Sequence, residues 1–208
     1  MSSTGIVVLG ASGHAKVVVS ALRAAGLEVA ALYDDDPAKT GRQVLGVMIV
    51  GPISDVPDEP GTRAIVAIGD NRARKAVAGR FSRVTWVSAV HPGSHVDPTV
   101  KVGPGAVVFA GAVVQAETVL GAHAIVNTGA TVDHDCAIGD FAHVAPGAHL
   151  AGAVRLGEGA FMGIASTAIP GVALGDWSSA GAGAAVIRDV SRGAVVVGVP
   201  ARPVSRKG

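Results

Sequence analysis

The sequence predicts a mainly β chain: a parallel β-solenoid of triangular section preceded by a small α/β domain. Three observations carry that prediction. From Val90 to Val186 an aliphatic residue returns at every sixth position with no insertion. Of those seventeen positions, fifteen are Val, Ile, Leu or Met and two, Ala168 and Ala180, are Ala. A second period lies on the first, with Gly103, Gly121, Gly139, Gly157 and Gly175 eighteen residues apart. Before Val90, short apolar runs alternate with helical stretches, as in a parallel α/β sheet.

Six and eighteen together mean a short strand and a turn per unit, with three units closing one coil. The expected stack has about six triangular coils. The aliphatic residue points inward onto its equivalent one coil later. The small residue two positions before it (Ala106, Ala112, Ala124, Cys136, Ser166) fits a tight corner, and glycine supplies backbone angles that other residues avoid. A helix is excluded, because a period of six matches neither 3.6 nor 3.5.

The α/β part reads in order as follows. Ile6–Leu9 is a buried strand, Gly10-Ala11-Ser12-Gly13-His14 a tight turn, and Ala15–Ala25 a helix ending near Gly26. Glu28–Tyr33 is a second strand leading to Asp34-Asp35-Asp36-Pro37, and Val44–Val50 a third, broken at Gly51-Pro52. Arg63–Ile68 is another strand, Gly69-Asp70-Asn71 a turn and helix cap, Arg72–Phe81 a helix and Val84–Val87 a last strand. The expected boundary puts a Rossmann-like domain at residues 1–89 and the solenoid with a capping tail at 90–208. His91-Pro92 opens the solenoid without a flexible linker, so the two sit rigidly together.

Composition narrows the function. The chain is 49% hydrophobic yet has only seven aromatic residues, which suits a solenoid packed with Val and Ala. A net charge of +1 gives no electrostatic case for nucleic acid. No apolar stretch is long enough to span a membrane, and no secretory signal is read at the N-terminus. Cys136 stands alone, so no internal disulfide forms and a cytoplasmic location is expected.

Two places carry chemistry. Helix N-termini after parallel strands suit phosphates, and Gly10 and Gly13 permit close approach. Asp34 or Asp35, ending the second strand, is placed to bond a ribose hydroxyl. The turn is G-x-x-G rather than G-x-G-x-x-G, which argues against a nicotinamide enzyme; a plain strand–helix turn is the alternative. The second place is Asn127 to Asp135. His134 between Asp133 and Asp135 has the makings of a general base, with a carboxylate fixing its tautomer and raising its pKa. The alternative is an exposed turn histidine with solvated aspartates. His143, nine residues on, is half a coil round the prism. The two histidines therefore meet only if neighbouring prisms pack side by side, which predicts an oligomer. His123, His143 and His149 have no spacing that converges at about 2.0–2.1 Å on zinc, so no metal is expected.

Leu120-Gly121, Ile138-Gly139, Leu156-Gly157 and Leu174-Gly175 resemble the repeats of the hexapeptide-repeat acyltransferases, which implies a left-handed β-helix working as a trimer. Further stretches sharpen the resemblance, in this order: Gly10–His14, Leu32–Asp35, Ala67–Asn71, Asn127–Asp135, Phe141–Val144 and Gly198–Ala201. Together they are similar to the family of sialic-acid O-acetyltransferases and N-acetyltransferases of nucleotide-linked 4-amino-dideoxy sugars. The resemblance implies acetyl-CoA as co-substrate and a homotrimer with sites between subunits. It implies His134 as base with Asp135 as its carboxylate, although the family often has Glu there. Substrate contacts are implied at Gly10, Ser12, Gly13, His14, Asp34, Asp35, Asn71, Asn127 and Asp133. An acetyl-CoA contact is implied at His143. Along the later coils contacts are expected at Gly152, Gly163 and Gly181, and Arg188, Arg202 and Arg206 are phosphate candidates with ordinary surface charge as the alternative. N-acetylation of a nucleotide-linked amino sugar is the leading expectation. O-acetylation of sialic acid or a related sugar, and a non-catalytic nucleotide-sugar-binding solenoid, are the alternatives.

Overall fold

In the computed structural model, which describes residues 5–204, strand β1 (Ile6–Leu9) lies inside a six-stranded sheet. Helix α1 (Gly13–Ala24) follows, then β2 (Val29–Tyr33), β3 (Gln43–Val44), β4 (Val47–Gly51), β5 (Arg63–Val66), helix α2 (Asn71–Ala78) and β6 (Thr85–Trp86). The sheet order is β3-β4-β2-β1-β5-β6, parallel except for β3 against β4. The single strand expected over Val44–Val50 is therefore a hairpin and not one element. Leu45 and Gly46 both adopt positive φ, 49° and 78°, and reverse the chain in a two-residue turn. Gly46 alone interrupts the apolar run, which hid that turn. Asp70 caps α2 as expected, accepting from the Ala73 N–H at 2.8 Å.

From Ala89–Val90 to Ala185–Val186 every strand is two residues long, and up to Thr167–Ala168 each pairs in parallel with the strand eighteen residues later. Three ladders form the three faces of the prism. Face one runs Ala89–Val90, Val107–Val108, Ile125–Val126, His143–Val144, Phe161–Met162, Ser179–Ala180 and Val195–Val197. Val195–Val197 carries that face slightly past the six coils expected and is closed by antiparallel Arg202–Pro203. Within each strand the second residue points into the prism, and Val108, Val126, Val144 and Met162 are fully buried there. The left-handed β-helix with an α/β domain ahead of it is thus the architecture of the chain.

Two details differ from the corner rule read from the sequence. The small residues (Ala106, Ala124, Ala142) belong to the core of the prism rather than to its corners. The left-handed backbone falls one residue earlier, at Gly105 but also at Glu117, His123, Asp135 and Phe141. The glycines spaced by eighteen are required for another reason, which is close stacking. A Cβ on Gly139 would lie 2.7 Å from the carbonyl carbon of Gly157 in the next coil.

The outward residues of face one decide where the site lies. Ala89, Val107 and Ile125 are buried against Ile6, Val8, Val18 and Leu22 of the α/β part, in one continuous apolar cluster. On the fourth rung the outward residue is His143, and the apolar dock stops there. Among the described residues no helix is long and apolar enough to cross a membrane.

Candidate functional site

A cleft of about 440 Å³ opens on the fourth rung, between His143, Phe161 and Ser179 of face one and the start of α2 at Asp70–Arg72. A smaller pocket of about 260 Å³ lies beside it, bounded by Gly10, Ser12, His14, Asp34, Asp35 and Lys39. Gly69 borders both. His14 and His143 face each other at this seam, with ring centroids 6.3 Å apart. Burial, then the Arg74 guanidinium, pushes the His14 pKa down to about 4. Burial, Arg74 and His14 together push His143 down to about 3. His143 is 7% exposed, and its Nε2 lies 3.0 Å from the Asn127 side-chain nitrogen.

In the smaller pocket the acidic pair is already engaged. Asp34 accepts from the Ala11 N–H at 2.7 Å, the Asp36 N–H at 3.0 Å and Lys39 Nζ at 2.9 Å. Burial raises its pKa, but the Lys39 ammonium and these N–H groups more than offset that and hold it below the usual carboxylate value. Asp35 accepts from the Ile53 N–H and from Arg80. Lys39 Nζ also donates to Ser12 Oγ at 2.8 Å, so a cation stands at the mouth of α1. Sequence reasoning missed Lys39, and the only available signal was the Asp-Pro-x-Lys turn after the second strand. Gly10 has φ 103°, and a Cβ there would lie 2.8 Å from Ile68. Gly13, which opens α1, has no atom within 4 Å of where a Cβ would stand.

Asn71 lines the cleft, but its carboxamide is bonded at both ends. Its nitrogen donates to the Gly159 carbonyl at 3.1 Å and its oxygen accepts from Arg74 at 2.8 Å. Arg74, also missed from the sequence, is 1% exposed. Its guanidinium donates to the carbonyls of Ile68, Gly69, His123 and Phe141 at 2.7–3.1 Å. It therefore ties the edge of the smaller pocket to two coils of the solenoid. Nothing in the stretch Asn71-Arg72-Ala73-Arg74-Lys75 marks one basic residue as buried.

His134 stands in the corner after Thr131–Val132, on a different side of the prism from His143, and lines neither cavity. Its Nδ1 lies 2.7 Å from Asp135 Oδ2, and its own N–H donates to Asp133 Oδ1 at 2.8 Å. Asp135 holds the ring and Asp133 holds the turn. Asp135 reaches back because its φ is 59°. The hydrogen bond that Nδ1 donates to Asp135 raises the His134 pKa, slight desolvation opposes it, and the Asp133 and Asp135 charges add to it. The side chain is 61% exposed, leaving Nε2 open to a proton.

Gly152, one coil above, lies flat against this imidazole. A Cβ there would stand 2.6 Å from its Cε1 and 2.7 Å from its Nε2. Coil stacking accounts for Gly163 and Gly181, whose Cβ positions meet Ala180 O at 2.6 Å and Val197 at 2.8 Å. Arg188 is exposed, two coils above Gly152 on the same corner. Arg202 donates to the Ala201 carbonyl, and Arg206 lies outside the described residues. Among the described residues no group of three His, Cys, Asp or Glu is arranged to hold a metal.

The buried histidines make stability depend on acid. Their folded pKa values, about 4 for His14 and His123 and about 3 for His143, lie below the unfolded value near 6.5. Between those limits the unfolded chain binds more protons, so stability falls as pH drops from 6.5 towards 4. The melting temperature is expected to fall by about 5 °C or more from pH 7.5 to pH 5. A flat profile over that range would mean the three imidazoles are hydrated.

Comparison with known proteins now bears on this geometry. Residues 5–81 match the family model described as the PglD N-terminal domain. GDP-perosamine N-acetyltransferase from Caulobacter crescentus, solved as a histidine-to-alanine mutant with CoA and GDP-perosamine, is 42% identical. The match covers 97% of each chain with a TM-score of 0.90. The acetyltransferase domain of PglB from Neisseria gonorrhoeae is 36% identical over 97% of this chain and all of that one, also with a TM-score of 0.90. That domain is also solved with acetyl coenzyme A. WeeI from Acinetobacter baumannii, at 24% identity and a TM-score of 0.84, shares the fold. An uncharacterised protein of Acanthamoeba polyphaga mimivirus is 31% identical over 116 residues, and the chain spans about a quarter of that curated relative's length (23%).

Proposed function

Because the chain belongs to the hexapeptide-repeat sugar acetyltransferases, we propose that it transfers acetyl from acetyl-CoA to the amine of a nucleotide-linked amino sugar. The observation that carries this reading is the His134–Asp135 pair, an open Nε2 backed by a carboxylate 2.7 Å from Nδ1. The sugar amine attacks the thioester carbonyl while Nε2 of His134 takes the proton it loses. Asp135 steadies the imidazolium, and CoA leaves as a thiolate, so no covalent enzyme intermediate is needed. Stabilisation of the developing oxyanion falls to N–H donors beside the carbonyl.

The division of labour follows the chain. Residues 1–89 hold the nucleotide in the pocket of Gly10, Ser12, His14 and Lys39, and residues 90–208 hold acetyl-CoA. The sugar reaches from that pocket past Gly69 towards His143. His134, on another side of the prism, serves the cleft of a neighbouring copy in a homotrimer. CoA runs beside the His134 corner over Gly152 towards Arg188. The relative with GDP-perosamine makes GDP the nucleotide to test first. Both substrates are cytoplasmic metabolites, and the enzyme works there.

Thermal melting with acetyl-CoA and, separately, with GDP, UDP, dTDP and CMP tests this directly. A ligand that binds only the folded chain raises its melting temperature by mass action. Shifts with acetyl-CoA and with one nucleoside diphosphate are expected, followed by thiol release when the matching amino sugar is added. No shift with acetyl-CoA would remove the transferase reading.

A further inference from the structure

We infer that Asn127 is a positioning residue that fixes His143 in the neutral tautomer carrying its proton on Nδ1, so that this imidazole serves as a hydrogen-bond donor and not as a base. The reasoning begins one residue further on. The Thr128 backbone N–H can only donate, and the atom 2.8 Å from it is the side-chain oxygen of Asn127. The other end of that carboxamide, its NH₂, therefore faces His143 Nε2 at 3.0 Å. An amide NH₂ only donates, so Nε2 must offer its lone pair. A neutral imidazole has one N–H, and it is left on Nδ1.

The frame around the pair is rigid. The Asn127 N–H donates to the Val144 carbonyl at 2.9 Å, and His143 and Ile125 pair on adjacent rungs. An imidazolium here would set a second N–H against the Asn127 NH₂, and the buried Arg74 guanidinium and His14 also disfavour the charge.

Nδ1 of His143 is sealed within the fold with no partner at hydrogen-bond distance, and so is Nε2 of His14 across the seam. Against burial, Arg74 and His14, an interaction with the Gly69 backbone raises the His143 pKa, while no partner atom lies at hydrogen-bond distance of Nδ1. Unpaired buried donors are rare in native chains. This one stands where the nucleotide pocket meets the cleft, and a substrate that parts the seam beside it brings the acceptor oxygen that completes it. The two histidines thereby divide the work, with His134 accepting a proton and His143 donating a hydrogen bond. That catalytic role rests on the acetyl-transfer reading, whereas the tautomer does not.

The test is two-bond proton–nitrogen correlation of protein labelled with ¹⁵N-histidine, with His143 assigned by its loss in His143→Asn. In the wild type Nδ1 is expected to be pyrrole-type and Nε2 pyridine-type. Asn127→Asp places an acceptor at Nε2, so the pattern should invert. With it, kcat should fall by about tenfold or more while the KM for acetyl-CoA stays within about threefold. Asn127→Leu removes the donor without supplying an acceptor and should give a mixture of tautomers with an intermediate kcat. It takes over the kinetic test if Asn127→Asp does not fold. A wild-type spectrum with the proton on Nε2 overturns the inference, as does an inverted Asn127→Asp that retains full kcat. The expected spectrum in a chain with no acetyl transfer would count against the transferase reading alone.

Discussion

His134→Ala lowers kcat for acetyl transfer by about 10²–10⁴-fold while acetyl-CoA and nucleotide still raise the melting temperature. The reason is local. On the proposed role this removes the base and leaves both cavities intact, since His134 lines neither. Its exposed ring contributes little packing, so the fold should tolerate the change. The pH profile separates this role from a structural one. Asp135 and Asp133 raise the His134 pKa above the ordinary imidazole value. The wild type should lose kcat as pH falls through that raised value, because Nε2 then already holds a proton. His134→Ala should lose that acid limb along with its rate. Full activity in the variant, or an unchanged limb, would move the base elsewhere. Asp135→Asn should lie between, keeping the ring in place while losing the charge that steadies the imidazolium.

Arg74→Met is expected to cost about 3 kcal/mol of stability or more, since each buried polar group left unpaired costs about 1–3 kcal/mol. Four backbone carbonyls and the Asn71 side-chain oxygen lose their donor at once. Those acceptors lie on the α2 loop and on two separate coils, so the loss falls on the junction between the α/β part and the solenoid. Urea unfolding should show a lower midpoint, and limited proteolysis should open the chain near Ile68–Asn71. Arg74→Lys keeps the charge but not the planar fork, and should recover only a small part of the loss. A midpoint within error of the wild type would mean that water replaces the guanidinium at the junction.

The solenoid was legible because one rule repeats seventeen times, and a repeated inward aliphatic position has no competing explanation. The same repetition misassigned its glycines. Sequence spacing places Gly139 correctly but does not distinguish a residue that needs unusual angles from one that must let the next coil lie against it. The His134 corner was legible because its three polar residues are adjacent in sequence, so their geometry is nearly local. The cleft was not, because it forms where apolar docking of α1 ends at rung four, and that depends on how two parts of the chain pack. Arg74 was missed for the same reason, since a buried cation looks like a surface one until its distant carbonyls are known. Half-buried Lys39 was missed because its tie to Ser12 spans twenty-seven residues. Asp34 and Asn71 were found as polar residues near a ligand pocket, but their bonds were not. The side chains expected to reach outward hold the pocket together.

The coils run without a single insertion, and successive rungs in such a sheet lie about 4.8 Å apart. Reach along this molecule is therefore quantised. The α/β part is docked on rungs one to three, and His143 stands on the fourth. A shorter or longer donor–acceptor pair meets no inserted loop between the coils from Val90 to Val186 that could flex a little to suit it. It is accommodated by adding or deleting eighteen residues, one whole storey of the prism, which leaves every column of side chains in line. Substrate length in such a chain changes by steps, and relatives that act on larger or smaller sugars should differ by whole coils or by the side chain on one rung.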